Sequence, residues 1–283
     1  MTLPPMKKHA ELLYFGMRQE NSDIQLKGQV REYWDAHPCG TQFTDLDWGS
    51  KEFFDEVESF RYATQPFMKE IVGFDKFTGK KVLEIGCGLG TDLLQFARGG
   101  ANVTGVDLTP KSIELVKNRF AMENLPVDAR VADAENLPFD NDSFDVVYSF
   151  GVLHHTPDTQ KAIDEVHRVL KPGGRIIIML YNRTSLHVWL GAPLYAAARL
   201  SGERRADGQK LVDSWIRIYD GDGNPLGKAY SRSEMDKMFS KFRNRKYIVR
   251  DSYRRHWPKF ANTINKYLFA PWCGFWRFIM AEK

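Results

Sequence analysis

Lys81 to Asp92, Lys-Val-Leu-Glu-Ile-Gly-Cys-Gly-Leu-Gly-Thr-Asp, constrains the fold of this chain more than any other stretch. A short apolar run carries a carboxylate, Glu84. Three glycines follow at alternate positions, Gly86, Gly88 and Gly90, and Asp92-Leu-Leu-Gln-Phe-Ala continues with helical character. That order predicts a strand, a tight loop and a helix start, with a backbone that ligand atoms can approach closely and helix-end amides as donors. The dinucleotide fingerprint is G-x-G-x-x-G, which sets a pyrophosphate on a helix N-terminus; here the order is G-x-G-x-G behind a carboxylate. A carboxylate aimed into such a loop repels a pyrophosphate and attracts an ammonium. Asp107 follows the next apolar run, Asn102 to Val106, and suits a ribose diol. A zwitterionic amino acid carried on a nucleoside satisfies both demands, and the loop spacing disfavours a nicotinamide-dependent reductase.

The rest of the chain bounds this reading. At 283 residues and 43% hydrophobic content it can bury a sizeable core, and one elaborated domain is expected. Forty basic against 36 acidic residues leave a formal charge of +4, too little to argue for nucleic acid. Cys39, Cys87 and Cys273 are widely spaced, without C-x-x-C or His/Cys ligand spacing, so no metal and no disulfide framework is expected. A reducing cytoplasm fits, and a cytoplasmic location is the expectation. The first residues show no apolar run, and no stretch reaches the roughly 18 apolar residues of a membrane span.

Before the glycine loop, residues 1–78 are rich in aromatics and charges, with helical spacing in Ala10 to Met17, Val30 to Trp34 and Glu52 to Phe60. An N-terminal helical lid is the expectation. Between the second and third segments lies Tyr33-Trp-Asp-Ala-His-Pro-Cys-Gly-Thr-Gln-Phe43, where Pro38 and Gly40 break the helix. Tyr33 and His37 are candidate contacts to substrate or cofactor there; the bland alternative is a hinge held by aromatic packing. From residue 79 onward, β-branched runs alternate with amphipathic ones: Val82 to Ile85, Asn102 to Val106, Val127 to Val131, Phe144 to Ser149 and Arg175 to Met179. This predicts a mostly parallel, doubly wound sheet covered on both faces, with ligands in the crevice where the loops after the first and fourth strands part. Thr109 and Pro110 predict a capped helix start, Lys161 to Leu170 an amphipathic helix, and Lys171-Pro-Gly-Gly a turn. Asp133, in Val131-Ala-Asp-Ala134, is either a helix cap or an acceptor for an exocyclic amine. In Ser149-Phe-Gly-Val-Leu-His-His-Thr, the adjacent His154 and His155 cannot easily face one pocket together. One of them is a candidate general base, His155 ahead of His154, against the plainer role of helix capping.

These motifs together, over roughly 100 residues of contiguous order, resemble the class I S-adenosylmethionine (SAM)-dependent methyltransferases, in the branch of quinone, sterol and secondary-metabolite enzymes. The resemblance implies a Rossmann-like α/β fold with a seven-stranded sheet, its sixth strand at Tyr247-Ile-Val and an antiparallel seventh at Phe275 to Ala281. It implies SAM as cofactor: Glu84, Gly86, Gly88 and Gly90 around the donor's amino acid, Asp107 and Leu108 at the ribose, Asp133 and Ala134 at the adenine, and Phe150 near the sulfonium. Residues 79–283 would form the core, with an insertion over 182–230 as a second wall for a small or lipophilic acceptor. Ser185 to Leu200 reads as a helix in that insertion, Ser201 to Gln209 as a polar loop and Ile218 to Tyr230 as a turn-rich segment. The basic, aromatic tail leaves open weak membrane-surface contact. It also motivates the rival reading of an RNA or protein acceptor; a third is a SAM-binding regulatory protein without turnover.

Overall fold

The structure is a computed structural model, and it describes residues 22–190, 212–213, 215–217, 223–251, 263–264 and 268–283. The expectations for Ala10 to Met17, for 191–211 and for 218–222 lie outside the described residues.

Among the described residues, three helices precede the sheet. Helix α1 covers 22–36 and stops before Pro38 as predicted. After a 3-10 turn at Thr41–Phe43, α2 runs Lys51–Thr64 and a short α3 follows at Met68–Val72. Ser50 starts α2 by accepting the Phe53 amide, which satisfies one of the donors a helix N-terminus leaves open.

The seven strands are β1 Lys81–Ile85, β2 Asn102–Asp107, β3 Asp128–Val131, β4 Phe144–Phe150, β5 Leu170–Tyr181, β6 Arg243–Arg250 and β7 Trp276–Glu282. They form one sheet in the order β3-β2-β1-β4-β5-β7-β6. β1 lies between β2 and β4, Leu83 facing Thr104 on one side and Val147 on the other, both parallel. β7 returns antiparallel between β5 and β6. Crossovers are made by α4 (Thr91–Arg98), α5 (Pro110–Met122) and α6 (Thr159–Val169). α7 (Arg232–Met238) and a short α8 (Ala270–Cys273) precede β6 and β7.

Period-two alternation divides the core. Val82, Val146 and Tyr148 pack with Leu93 and Phe96 of α4 on one face; Leu83, Ile85 and Val147 pack with Ala162, Ile163 and Val166 of α6 on the other. A register shift between Phe144 and Val146 explains why Phe144 joins Val147 on the α6 face. A smaller cluster, Phe53, Phe54 and Val57 with Leu89 and Leu115, seats α2 on the glycine loop and α5. Arg119, 2% exposed, ties the same joint by donating to Glu58 at 2.6 Å and Thr91 at 2.8 Å.

The predicted cap is present: Thr109 accepts the Ser112 amide with Pro110 at the first helical position. Ser231 and Glu234 form a reciprocal capping box at α7. In the basic tail, Arg245 donates to the carbonyls of Phe239 and Phe242, and Arg243 donates to that of Lys283. No helix among the described residues is long and apolar enough to cross a membrane.

Candidate active site

The strand order reverses between β1 and β4, and the C-terminal ends of the parallel strands open onto a cavity of about 580 Å³, within the usual range for small-molecule sites. Eight of the nine predicted donor-site residues line it: Glu84, Gly86, Gly88, Asp107, Leu108, Asp133, Ala134 and Phe150.

Gly90 does not. It is the left-handed N-cap of α4, with φ 70°, and a Cβ there would sit 3.2 Å from Val116 Cγ2. Its glycine serves the turn and its packing rather than the cavity.

Glu84 is 4% exposed, and its Oε2 has no hydrogen-bond partner among the described residues. Burial, followed by the charge of Asp92, pushes its carboxyl well above the ordinary range, with Arg61 partly opposing. A raised carboxyl favours the fold most when protonated. Its contribution is therefore full below about 4.5, the ordinary glutamate value, and is lost as pH rises through the folded value. Glu84→Gln is accordingly expected to stabilise the ligand-free protein at pH 8 by about 1–3 kcal/mol while weakening donor binding. Denaturant melts at pH 5 and pH 8 check this, and equal stability of both proteins at pH 8 would contradict it.

Asp92, at the start of α4, is also buried. It receives Arg61 Nη2 at 2.5 Å, the Tyr62 hydroxyl at 2.8 Å and the Tyr148 hydroxyl at 2.7 Å. Burial works to lower the Arg61 pKa, but the charge of Asp92 leads the opposing effects and the net direction is upward. The guanidinium lies 4.2 Å over the Phe150 ring and lines the cavity, and its Nε has no partner among the described residues. Asp107 orders the neighbouring loops, accepting the Gly88 amide at 3.0 Å, the Thr109 amide at 3.0 Å and the Thr109 hydroxyl at 2.8 Å. Burial raises its carboxyl, and these hydrogen bonds oppose the rise. Asp133 accepts the Glu135 amide at 2.9 Å and Lys27 Nζ of α1 at 2.6 Å. Lys27 also reaches Glu135 at 2.6 Å.

The four candidate catalytic residues separate. His155, on a 3-10 turn at Leu153–His155, lines the cavity, with Nδ1 2.5 Å from the Leu226 carbonyl. A carbonyl only accepts, so Nδ1 carries the hydrogen and Nε2 is the basic nitrogen. His154 sits deeper, behind the wall. It is fully buried against the Tyr181 ring at a centroid separation of 3.9 Å, and burial, then His155 and Lys228, holds it well below its usual pKa. The two imidazole rings lie 4.4 Å apart, but His155 reaches the cavity wall and His154 does not.

Tyr33 and His37 also lie off the cavity wall. Their rings sit 5.0 Å apart, and His37 Nδ1 donates to the Tyr33 carbonyl at 3.0 Å. Helical phase is the reason: Lys27, Val30 and Trp34 share the inward stripe of α1, whereas Tyr33 and His37 form the next one. Trp34 meets the His155 ring at 5.6 Å.

Reading the sequence alone missed Lys27, Arg61, Thr64 and Gln65, all of which line the cavity. On α2 a signal was present. Val57, Phe60, Arg61, Thr64 and Gln65 follow the i, i+3, i+4, i+7, i+8 spacing of one helix face, so polar residues stand in an otherwise apolar stripe.

A seven-stranded sheet in this order, with an antiparallel seventh strand and a carboxylate-glycine loop at the switch point, defines the class I methyltransferase fold. Residues 83–178 match the family model described as "Methyltransferase domain", and the chain carries a domain of the class I SAM-dependent methyltransferases. It is 38% identical over 142 residues to the demethylmenaquinone methyltransferase of Clavibacter sepedonicus, covering 46% of this chain and 56% of that protein. It is 35% identical over 118 residues to the ubiquinone biosynthesis O-methyltransferase of Bartonella tribocorum, covering 42% and 48%. The chain thus spans about half the length of these curated relatives. In fold it is similar to the geranyl diphosphate C-methyltransferase of Streptomyces coelicolor A3(2), with a TM-score of 0.59 at 17% identity over 91% of this chain and 97% of that one.

Proposed function

We propose that this protein transfers a methyl group from SAM to a small or lipophilic molecule and leaves S-adenosylhomocysteine. The observation that carries the reading is a pair of buried atoms with no hydrogen-bond partner among the described residues, Oε2 of the acid Glu84 and Nε of the base Arg61, on side chains lining one cavity beside the glycine loop. Buried polar atoms left without a hydrogen bond are unfavourable unless a ligand completes them. An amino acid's ammonium and carboxylate do so together, Glu84 taking the first and Arg61 the second.

The remaining walls fit the rest of the donor. Asp107 Oδ2 keeps acceptor capacity beyond the Gly88 amide for a ribose hydroxyl. Each oxygen of Asp133 takes one hydrogen bond and retains a second lone pair for the adenine amine, with Ala134 beside the base. Bound there, SAM supplies an electrophilic methyl on a sulfonium. Phe150 lies at the end of β4 between the donor and acceptor ends of the cavity. His155 removes the acceptor's proton at Nε2, held in the correct tautomer by the Leu226 carbonyl. Residues 22–64 form the lid, α1 being pinned over the adenine end by Lys27 and α2 over the amino acid end by Arg61. From the described part of 182–230, the Leu226 carbonyl reaches the site through its contact with His155.

His155→Asn is expected to lower turnover about 100- to 1,000-fold while SAM affinity stays within twofold. Single-turnover kinetics with labelled SAM check this, and an unchanged rate would remove the base from the reading. The acceptor class is tested by incubating the protein and isotopically labelled SAM with a cell extract, then separating protein, nucleic acid, lipid and soluble metabolites. Label in the lipid or metabolite fractions supports the reading; label confined to RNA or protein overturns the acceptor class.

A further inference from the structure

Gln65, which caps the C-terminal end of α2, is a polar side chain without an evident structural task. Its backbone amide closes the helix onto the Arg61 carbonyl at 2.9 Å, but its side-chain oxygen is buried and has no partner among the described residues. The residue nevertheless lines the cavity, one helical turn beyond Arg61. A buried amide oxygen left unbonded is unfavourable by more than a leucine of similar reach would be.

Flat apolar rings line the same cavity. Phe43 stacks on Phe60 at 4.1 Å, Phe150 meets Trp276 at 5.5 Å, and Met179 completes the lining. The charges of the cavity are already engaged. Lys27 is paired with Asp133 and Glu135, Arg61 with Asp92, and Asp107 holds the Gly88 and Thr109 amides. Glu84 is assigned to the donor's ammonium. Among the described residues, an anionic acceptor therefore meets no uncommitted lysine or arginine, and a cationic one no uncommitted carboxylate.

We infer that Gln65 reads a hydroxyl on a neutral, flat, largely apolar acceptor, and that phosphorylated or carboxylated acceptors are rejected. A hydroxyl both donates and accepts, so it matches the amide in either orientation about its last torsion. The inference rests on the reading of this cavity as the SAM and acceptor site, and names the acceptor's chemistry there.

The test is calorimetric titration of the full-length protein, with and without S-adenosylhomocysteine, using naphthalene, 1-naphthol and 1-naphthyl phosphate as probes. The expected result is that 1-naphthol binds about tenfold or more tighter than naphthalene, and that naphthyl phosphate binds weakest. In Gln65→Leu the advantage of naphthol over naphthalene disappears, affinity for S-adenosylhomocysteine stays within twofold, and the ligand-free melting temperature rises. Gln65→Met serves as a second variant with the same expectations. A purely structural glutamine would show the opposite, a lower melting temperature and an intact hydroxyl preference. Equal binding of naphthol and naphthalene, no measurable naphthol binding, tightest binding by the phosphate, or a preference that survives in both variants would overturn the inference. A Gln65-dependent hydroxyl preference without any affinity for S-adenosylhomocysteine would keep this subsite and remove the methyl-transfer reading.

Discussion

Gly86→Ala is expected to destabilise the protein by about 2–5 kcal/mol and to abolish measurable SAM binding. Gly86 has φ 74°, and a Cβ built there falls 2.1 Å from Val152 Cγ2. Val152 is β-branched and stiff at χ1, so it has little room to yield. The left-handed backbone accounts for about 1–2 kcal/mol of the loss, and the overlap for the rest. Gly88 provides the contrast. Its φ is 51°, but a Cβ there meets nothing within 4 Å. Gly88→Ala should lose only the backbone share, about 1–2 kcal/mol, and stay folded, yet place a methyl against the space assigned to the donor. Denaturant unfolding and SAM calorimetry on both variants check the pair. A Gly86→Ala protein as stable as the parent would show that the loop does not hold this conformation.

Arg61→Ala is expected to act on stability and ligand together. Among the described residues, Asp92, 4% exposed, would keep the Tyr62 and Tyr148 hydroxyls, and Glu84 would lose a cation that opposes its raised pKa. Breaking a buried pair from one side costs about 3–5 kcal/mol; with Arg61 one-fifth exposed, the lower end applies. SAM affinity should fall at least tenfold as well, because the donor's carboxylate loses its partner. Combining Arg61→Ala with Asp92→Asn separates the two effects. Removing the stranded charge should restore most of the stability and none of the affinity. Recovery of both in the double variant would mean that Arg61 only holds α2 to α4.

The legible parts of this molecule were those written locally. Strand, glycine loop and helix follow one another within twelve residues at 81–92, so Glu84, Gly86 and Gly88 were readable, and Asp107 and Asp133 stood at the ends of the next two strands. What local spacing did not determine was which way a side chain turns. His154 and His155 differ by one step on a 3-10 turn, and it is tertiary partners, the Leu226 carbonyl and the Trp34 ring, that set the second against the cavity. Gly90 has the sequence environment of its two companions, but serves the turn instead. Tyr33 and His37 sat in a chemically rich segment, yet Tyr33 remains helical and its stripe leaves Lys27, Val30 and Trp34 facing inward. Lys27 and Arg61 meet carboxylates 106 and 31 residues away, partnerships that no local pattern encodes.

The central claim is that this cavity reads an amino acid and a nucleoside on one ligand. The most direct test compares S-adenosylhomocysteine with 5′-methylthioadenosine, which keeps the nucleoside and lacks the amino acid, by calorimetric titration of the parent protein and of Glu84→Gln and Gly88→Ala. The account predicts that S-adenosylhomocysteine binds the parent at least a hundredfold tighter than methylthioadenosine, that this ratio shrinks about tenfold or more in Glu84→Gln, and that Gly88→Ala binds neither well. Equal affinity of the parent for the two ligands, or no binding of either, would contradict it.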